Sequence, residues 1–229
     1  MRTASLRRVV ALLVLAPVAA CGTTAVSPGQ QVSDAAAAMA KVNTAQADVS
    51  FGPGATVQGF VLVSATGKVK RPSDSDTVGK VKAAGALIQP ELISTGGKTY
   101  LRQAQFLPFQ ELDAAAAIDY PSAGRLLDAD HGVTAALPKG RTPAAAGTES
   151  VDGHVCDKIT ATYAPADLNA ALAPIKLTDD VKVTLWIDQS TKYVRRVRIA
   201  GHIFDPAANS FVDARLHDFN APVTITAPG

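Results

Sequence analysis

Gly97-Lys98-Thr99 is the first group along the chain to invite a chemical reading, because such a run closes the loop that cradles nucleotide phosphates. That loop also requires a glycine where Leu92 stands and a helix behind it, and no helical pattern follows. The run therefore reads as a hairpin turn. His131, His154, His202 and His217 are widely spaced, and none belongs to the H-x-x-x-H or H-E-x-x-H patterns of a metal centre. They read as solvated side chains of loops or strand faces. The carboxylate pairs Asp74/Asp76 and Asp179/Asp180 sit among Ser and Thr, where Asp commonly bonds its own backbone. Acid–base catalysis is the competing use. There is no G-x-S-x-G elbow to present a nucleophilic serine. Arg195, Arg196 and Arg198 form a basic cluster, but strand alternation divides them between two faces. A solvated face is expected, with contact to anionic lipid headgroups as the alternative. These residues imply no metal, cofactor or catalytic group.

The two cysteines differ in setting. Cys156 lies in a β-branched, alternating stretch, where a free cysteine serves as a small buried apolar residue. A redox role would need a second thiol or an activating neighbour. Cys21 follows Arg2, Arg7 and Arg8, an apolar run from Val9 to Ala20, and the small residues Val18-Ala19-Ala20. That order is a secretory signal. Val-Ala-Ala-Cys resembles a bacterial lipobox, in which the thiol is acylated and cleavage makes the cysteine the first residue. The expected organisation is a cleaved signal peptide over 1–20, a lipidated N-terminus and flexible tether over 21–30, and a single domain over 31–229. Ordinary cleavage leaving Cys21 as a free thiol is the alternative, and an exposed unpaired thiol would be a liability.

Losing residues 1–20 leaves 19 Lys+Arg against 20 Asp+Glu, so the basic balance belongs mostly to the signal. A near-neutral domain carries no basic footprint for nucleic acid, and none is expected as partner. No second long apolar stretch occurs, so the lipid alone is expected to anchor the chain to the outer face of the cell membrane. About 200 residues can bury a sizeable core as one domain. Aromatics make up 5% of the chain, so the interior is expected to be aliphatic.

The elements follow from periodicity. Val32, Ala35, Ala36, Met39, Ala40 and Val42 fall at helical spacing over 31–44, with Ser33 as cap. Strands are expected over 59–67 and 78–84, separated by a polar loop at 71–76. A hairpin follows over 87–102 around Gly96-Gly97, since paired glycines supply the positive φ of a two-residue turn. The stretches 107–118, 121–127 and 132–137 read as short helical pieces divided by Pro and Gly. Strand patterns resume over 146–151 and 154–163 around Asp152-Gly153, then a helix over 165–171, then strands over 181–188, 193–200 and 211–217, with 223–226 as a short edge. Helices inserted in a meander must cover one face of it, and a sheet of that size tends to curl. The expected fold class is α+β, with one curved, mostly antiparallel sheet and helices on its concave side.

This order resembles the actinobacterial lipoprotein family that includes mycobacterial LppX, LprA, LprF and LprG, over most of residues 31–227. The resemblance is carried by Thr66-Gly67 followed by Pro72, Gly96-Gly-Lys-Thr-Tyr-Leu101, Asp119-Tyr-Pro-Ser-Ala-Gly-Arg-Leu-Leu127 running into Gly132-Val-Thr-Ala-Ala136, Val151-Asp-Gly153, and Val183-Thr-Leu-Trp-Ile-Asp188. It implies a U-shaped half-barrel similar to the LolA and LolB carriers, with helices closing a hydrophobic cavity. It also implies acylated lipids or glycolipids as partners, carried or presented in the envelope, with an envelope transporter as a further partner. Where members often carry Trp soon after the hairpin, this chain has Phe106 and Phe109.

The physics suits such a role. Each buried methylene contributes about 0.8 kcal/mol, so part of one acyl chain could supply on the order of 10 kcal/mol before entropic costs. The expected lining is Val61, Val63, Leu92, Phe106, Phe109, Leu112, Ile118, Leu126, Leu127, Val183, Leu185 and Ile187. The same alternation would arise if these residues filled a solid core. Two other readings compete: an interaction scaffold with a filled core, and an envelope hydrolase.

Overall fold

The computed structural model describes residues 26–128 and 130–229. The expected signal peptide, Cys21 and most of the tether lie outside the described residues. Helix α1 (Pro28–Met39) starts three residues before the expected point, because Ser27 and Pro28 make a stronger start than Ser33. The Ser27 hydroxyl accepts from the Gln30 N–H at 3.2 Å, and the N–H that proline lacks would have been unpaired there anyway. The helix buries Val32, Ala35 and Met39 on one side. It stops before Thr44, which the first strand takes up.

Eight strands follow: β1 (Thr44–Phe51), β2 (Thr56–Val57), β3 (Phe60–Lys70), β4 (Asp74–Ala83), β5 (Ala86–Ile88), β6 (Glu91–Thr95), β7 (Lys98–Arg102) and β8 (Gln110–Leu112). A crossover carries α2 (Ala114–Ala117), a 3₁₀ turn at Ala123–Leu126, α3 (Val133–Ala136) and a second 3₁₀ turn at Leu137–Lys139. Then come β9 (Arg141–Val151), β10 (His154–Tyr163), α4 (Pro165–Leu172), β11 (Val181–Asp188), β12 (Val194–Asp205) and β13 (Ala208–His217). All thirteen strands join one antiparallel sheet in the order β8-β7-β6-β4-β3-β1-β13-β12-β11-β10-β9, with β2 beside β3 and β5 beside β4. The sheet is curved and does not close. It is two meanders joined at β1 and β13, where Gln46 faces His217 and Phe51 faces Val212.

Three local expectations change. The polar stretch at 71–76 shrinks to a turn, and Asp74 and Asp76 extend β4 opposite Lys70 and Lys68, where opposite charges favour pairing. Gln110–Leu112 pairs with the free edge of β7 instead of continuing a helix, and Pro108 bars a helix from running through. Only Ala114–Ala117 is helical there, capped by Asp113. Residues 223–226 form no strand.

The two edges of the sheet, β8 and β9, are consecutive in the chain, so the crossover has to traverse the sheet. It seats on β3 and β4. A Cβ on Gly67 would lie 2.6 Å from the Ala123 Cβ, so only glycine permits this approach. The Ala123 N–H donates to Thr77 Oγ1 at 3.2 Å, and the Ser75 and Ser122 hydroxyls meet at 3.0 Å. The main core lies between the helices and the inner meander, and includes Ile159, Leu185, Ile187, Leu127 and Leu216, all at most 2% exposed. On the convex face Trp186 is buried beneath Lys158 and Arg196, with Nε1 donating to Glu149 at 2.9 Å. Cys156 packs there against Val151 and Trp186, and its burial, then Asp188, pushes the thiol's pKa up.

Candidate functional site

Small inward residues leave space beneath the crossover. Ala47 on β1, with Ala65 and Gly67 on β3, face Ala123 and Ala136 across a cavity of about 150 Å³. Val183 and Leu185 of β11, Val197 and Ile199 of β12, and Leu168 and Leu172 of α4 complete this first chamber. A second chamber of about 100 Å³ lies toward β4–β7, lined by Phe60, Leu62, Val81, Ile88, Leu92 and Leu101. Phe51, Ala65, Thr77 and Pro121 wall both chambers, so the two adjoin. A dry cavity of about 150 Å³ accepts benzene, so the pair has room for roughly ten carbons.

Polar groups around the first chamber are hydroxyls: Thr66, Thr77, Ser122 and Tyr163. The Tyr163 hydroxyl donates to the Leu137 carbonyl at 2.8 Å; burial, then Asp167, pushes its pKa up to about 12. It is neutral at physiological pH and acts as a structural donor. Among the described residues, the first chamber's lining holds no histidine, cysteine or carboxylate. The second includes Glu91, which is paired with Arg102. The described residues form no cluster of metal-ligating side chains. Apolar walls with a few hydroxyls can hold a hydrocarbon, and the first chamber's lining offers no imidazole, thiolate or carboxylate as a base.

Leu92, Leu126, Val183 and Leu185 line the chambers, whereas Leu127 and Ile187 are plain core beside them. The remaining six lie elsewhere. A bulge between Leu62 and Ser64 inserts Val63 as an extra residue in β3 and reverses its alternation. Leu62 and Ser64 face the second chamber, then Ala65 and Gly67 the first, while Val61 is 43% exposed. Phe106 is 85% exposed in the β7–β8 loop, and Ile118 is exposed beyond α2. Phe109 lies beneath the Arg102 guanidinium at 4.6 Å, and Leu112 sits half-buried on the edge strand β8. The lining residues missed from sequence include small ones such as Ala47, Ala65, Gly67 and Ala123, whose size creates the space but leaves no apolar peak; larger ones such as Phe51, Val197, Ile199 and Val212 were detectable, since they alternate on β1, β12 and β13.

The histidines are surface groups beside carboxylates: His154 near Asp188 at 3.2 Å, His202 near Asp179 at 3.5 Å, His217 near Asp48 at 3.3 Å. Arg196 and Arg198 both pair with Asp213, Arg196 also reaches Glu149 at 3.6 Å, and Arg195 pairs with Asp188, so every guanidinium of the basic cluster faces a carboxylate.

The family model described as LppX_LprAFG lipoprotein matches residues 27–225. LprF from Mycobacterium bovis superimposes with a TM-score of 0.71 at 21% identity, over 88% of this chain and 96% of that one. LppX from Mycobacterium tuberculosis gives 0.62 at 18% identity, over 87% and 98%. At such identities the likeness establishes a shared fold. A LolA superfamily protein from Nitrosomonas europaea reaches 0.32, too low to support an argument. No curated protein matches the chain.

Proposed function

The chain belongs to the LppX_LprAFG lipoprotein family, and on that premise we propose that it binds the acyl chain of a lipid or glycolipid in the two chambers and carries or presents it in the cell envelope. The observation that carries this reading is the pair of adjoining apolar chambers between the sheet and the crossover. Ten buried carbons would contribute roughly 8 kcal/mol before the entropic cost of association. The chambers fit part of one chain, so a lipid with several chains would have to displace the crossover or leave chains outside. Acylation of Cys21 holds the domain on the outer face of the membrane, within reach of its lipid source. An envelope transporter is the natural recipient. A hydrolase acting in the first chamber would lack a base among the residues that line it.

Every strand and helix described lies within residues 28–217, so residues 26–229 carry the whole sheet and core. That segment, produced in a lipid-making host and purified without detergent, should release about one lipid per chain in denaturing mass spectrometry. Ala65→Trp, at the wall common to both chambers, should abolish the signal while the protein stays folded by circular dichroism. Absence of lipid from the unsubstituted protein, together with failure to take up an added acyl probe, would overturn the reading.

A further inference from the structure

Seven large apolar side chains stand exposed among the described residues, and four of them, Val61, Leu87, Phe106 and Leu107, gather at one end of the β3–β8 side of the sheet. Val61 faces Lys82 across β3 and β4, and Lys82 faces Leu87 across β4 and β5. Val81 lines the second chamber, so this neighbouring row points outward. The β7–β8 loop is drawn to the same place by Gln105, whose Nε2 donates to Gln89 Oε1 at 2.9 Å. Within that loop the Leu107 N–H donates to the Ala104 carbonyl at 2.9 Å, closing a turn that holds Phe106 out in solvent at 85% exposure. An exposed aromatic ring beside further apolar side chains marks an interaction surface.

Charge narrows what that surface meets. The segments that build this end, 52–65, 79–90 and 103–110, contain Lys80 and Lys82, both exposed, and no acid. Glu91, which follows the second of these segments, is paired with Arg102. A stable protein interface takes roughly 800 Å² per side, with its aromatic anchors seated in pockets. A single protruding ring flanked by lysines needs only a fluid, anionic surface: the apolar groups enter the interface while the lysines stay at its charged level.

The start of the described chain lies at the same end of the strands. The row Phe51, Val212, Ile199, Val183, Ala161 runs across the sheet to the beginning of β9, where a Cβ on Gly29 of α1 would meet Pro143 Cγ at 3.6 Å. Cys21 precedes Val26 by five residues, so at most about 18 Å of extended chain separates them. An anchor at Cys21 would present this end to the bilayer at high effective concentration.

We propose that Val61, Leu87, Phe106 and Leu107 dock this end of the sheet into an anionic membrane surface, with Lys80 and Lys82 as the charges that hold it there. The contact is separate from the acyl anchor and from whatever fills the chambers. Because Ile88, Pro90 and Gln103 of the same segments line the second chamber, docking sets a wall of that chamber against the bilayer.

The test uses residues 26–229, which lack Cys21, and vesicles of phosphatidylcholine alone or mixed with phosphatidylglycerol, read by co-sedimentation. The protein should partition onto the mixed vesicles and more weakly onto the neutral ones. Replacing both lysines, Lys80→Gln with Lys82→Gln, should erase that preference, at roughly fivefold per lysine. Phe106→Ser should weaken partitioning roughly tenfold on either vesicle, whereas Val155→Ser, the loss of an exposed apolar side chain near the β9–β10 turn, should change nothing. In Phe106→Trp, emission should shift to the blue on vesicles, because Trp186 is already buried. No partitioning onto the mixed vesicles, or partitioning that Phe106→Ser leaves intact, overturns the proposal. A dimer that Phe106→Ser dissolves, without vesicle binding, would assign the patch to a second copy of the chain and overturn it as well. Lipid content by mass spectrometry reads the chambers independently, so the acyl-chain reading and this one fail separately.

Discussion

The two wings of the sheet use the same kind of strand but are finished differently. The inner wing, β10–β13, is packed against α1, α3 and α4, and supplies most of the main core. The outer wing, β4–β8, contributes nothing to that core; its inward residues Val81, Leu92 and Leu101 line the second chamber instead. The buried core is concentrated on one side, while the empty volume is shared: the first chamber lies against β11–β13 and the second against β4–β7. A binding protein gains from this division, because the rigid wing holds the fold while the other can yield to a ligand.

Asp188 offers the hardest blow to the rigid wing. Burial alone would raise its pKa, but bonds from the Ser190 hydroxyl and N–H, the Thr191 N–H and Arg195 outweigh it and hold the carboxylate well below the usual range. Asp188→Asn leaves Arg195 without its charge partner and should cost roughly 3–5 kcal/mol in urea unfolding. Because the folded pKa is depressed, the contribution is present above the ordinary carboxylate range and lost as pH falls below it. Unsubstituted protein should therefore lose stability on acidification below about pH 4, and the Asn variant should show a shallower dependence.

Equivalent truncations probe the asymmetry directly. Ile159→Ala, in the packed wing at 0% exposure, should cost about 3 kcal/mol. Leu101→Ala, already facing space, should cost about 2 kcal/mol and enlarge the second chamber, raising affinity for a longer acyl probe. Equal losses with no change in chain-length preference would remove the distinction between the wings. Between them, Gly67→Ala should cost about 1–3 kcal/mol, since its Cβ collides with Ala123 and lifts the crossover. Faster exchange of bound lipid should accompany that loss. Phe106→Ser should change stability by less than about 0.5 kcal/mol and leave lipid content unaltered, because the ring is solvated.

Legibility followed the same division. Val183 and Leu185 were recoverable because Val181–Asp188 alternates without interruption, and the turns at Gly96-Gly97 and Asp152-Gly153 located their hairpins. In the outer wing a single bulged residue in β3 inverted the assignment of Val61 and Val63. Phe106, Phe109, Leu112 and Ile118 lie in loops and on an edge strand, where no period sets which side faces inward.

What the sequence determined by itself was the antiparallel meander, the interruption by short helices and the family to which they belong, because alternation, turn glycines and prolines act over a few residues. What only the tertiary structure decided was where the empty volume lies and which residues line it. Those depend on elements far apart in the chain meeting across the sheet, and a cavity is a property of the residues that fail to fill it.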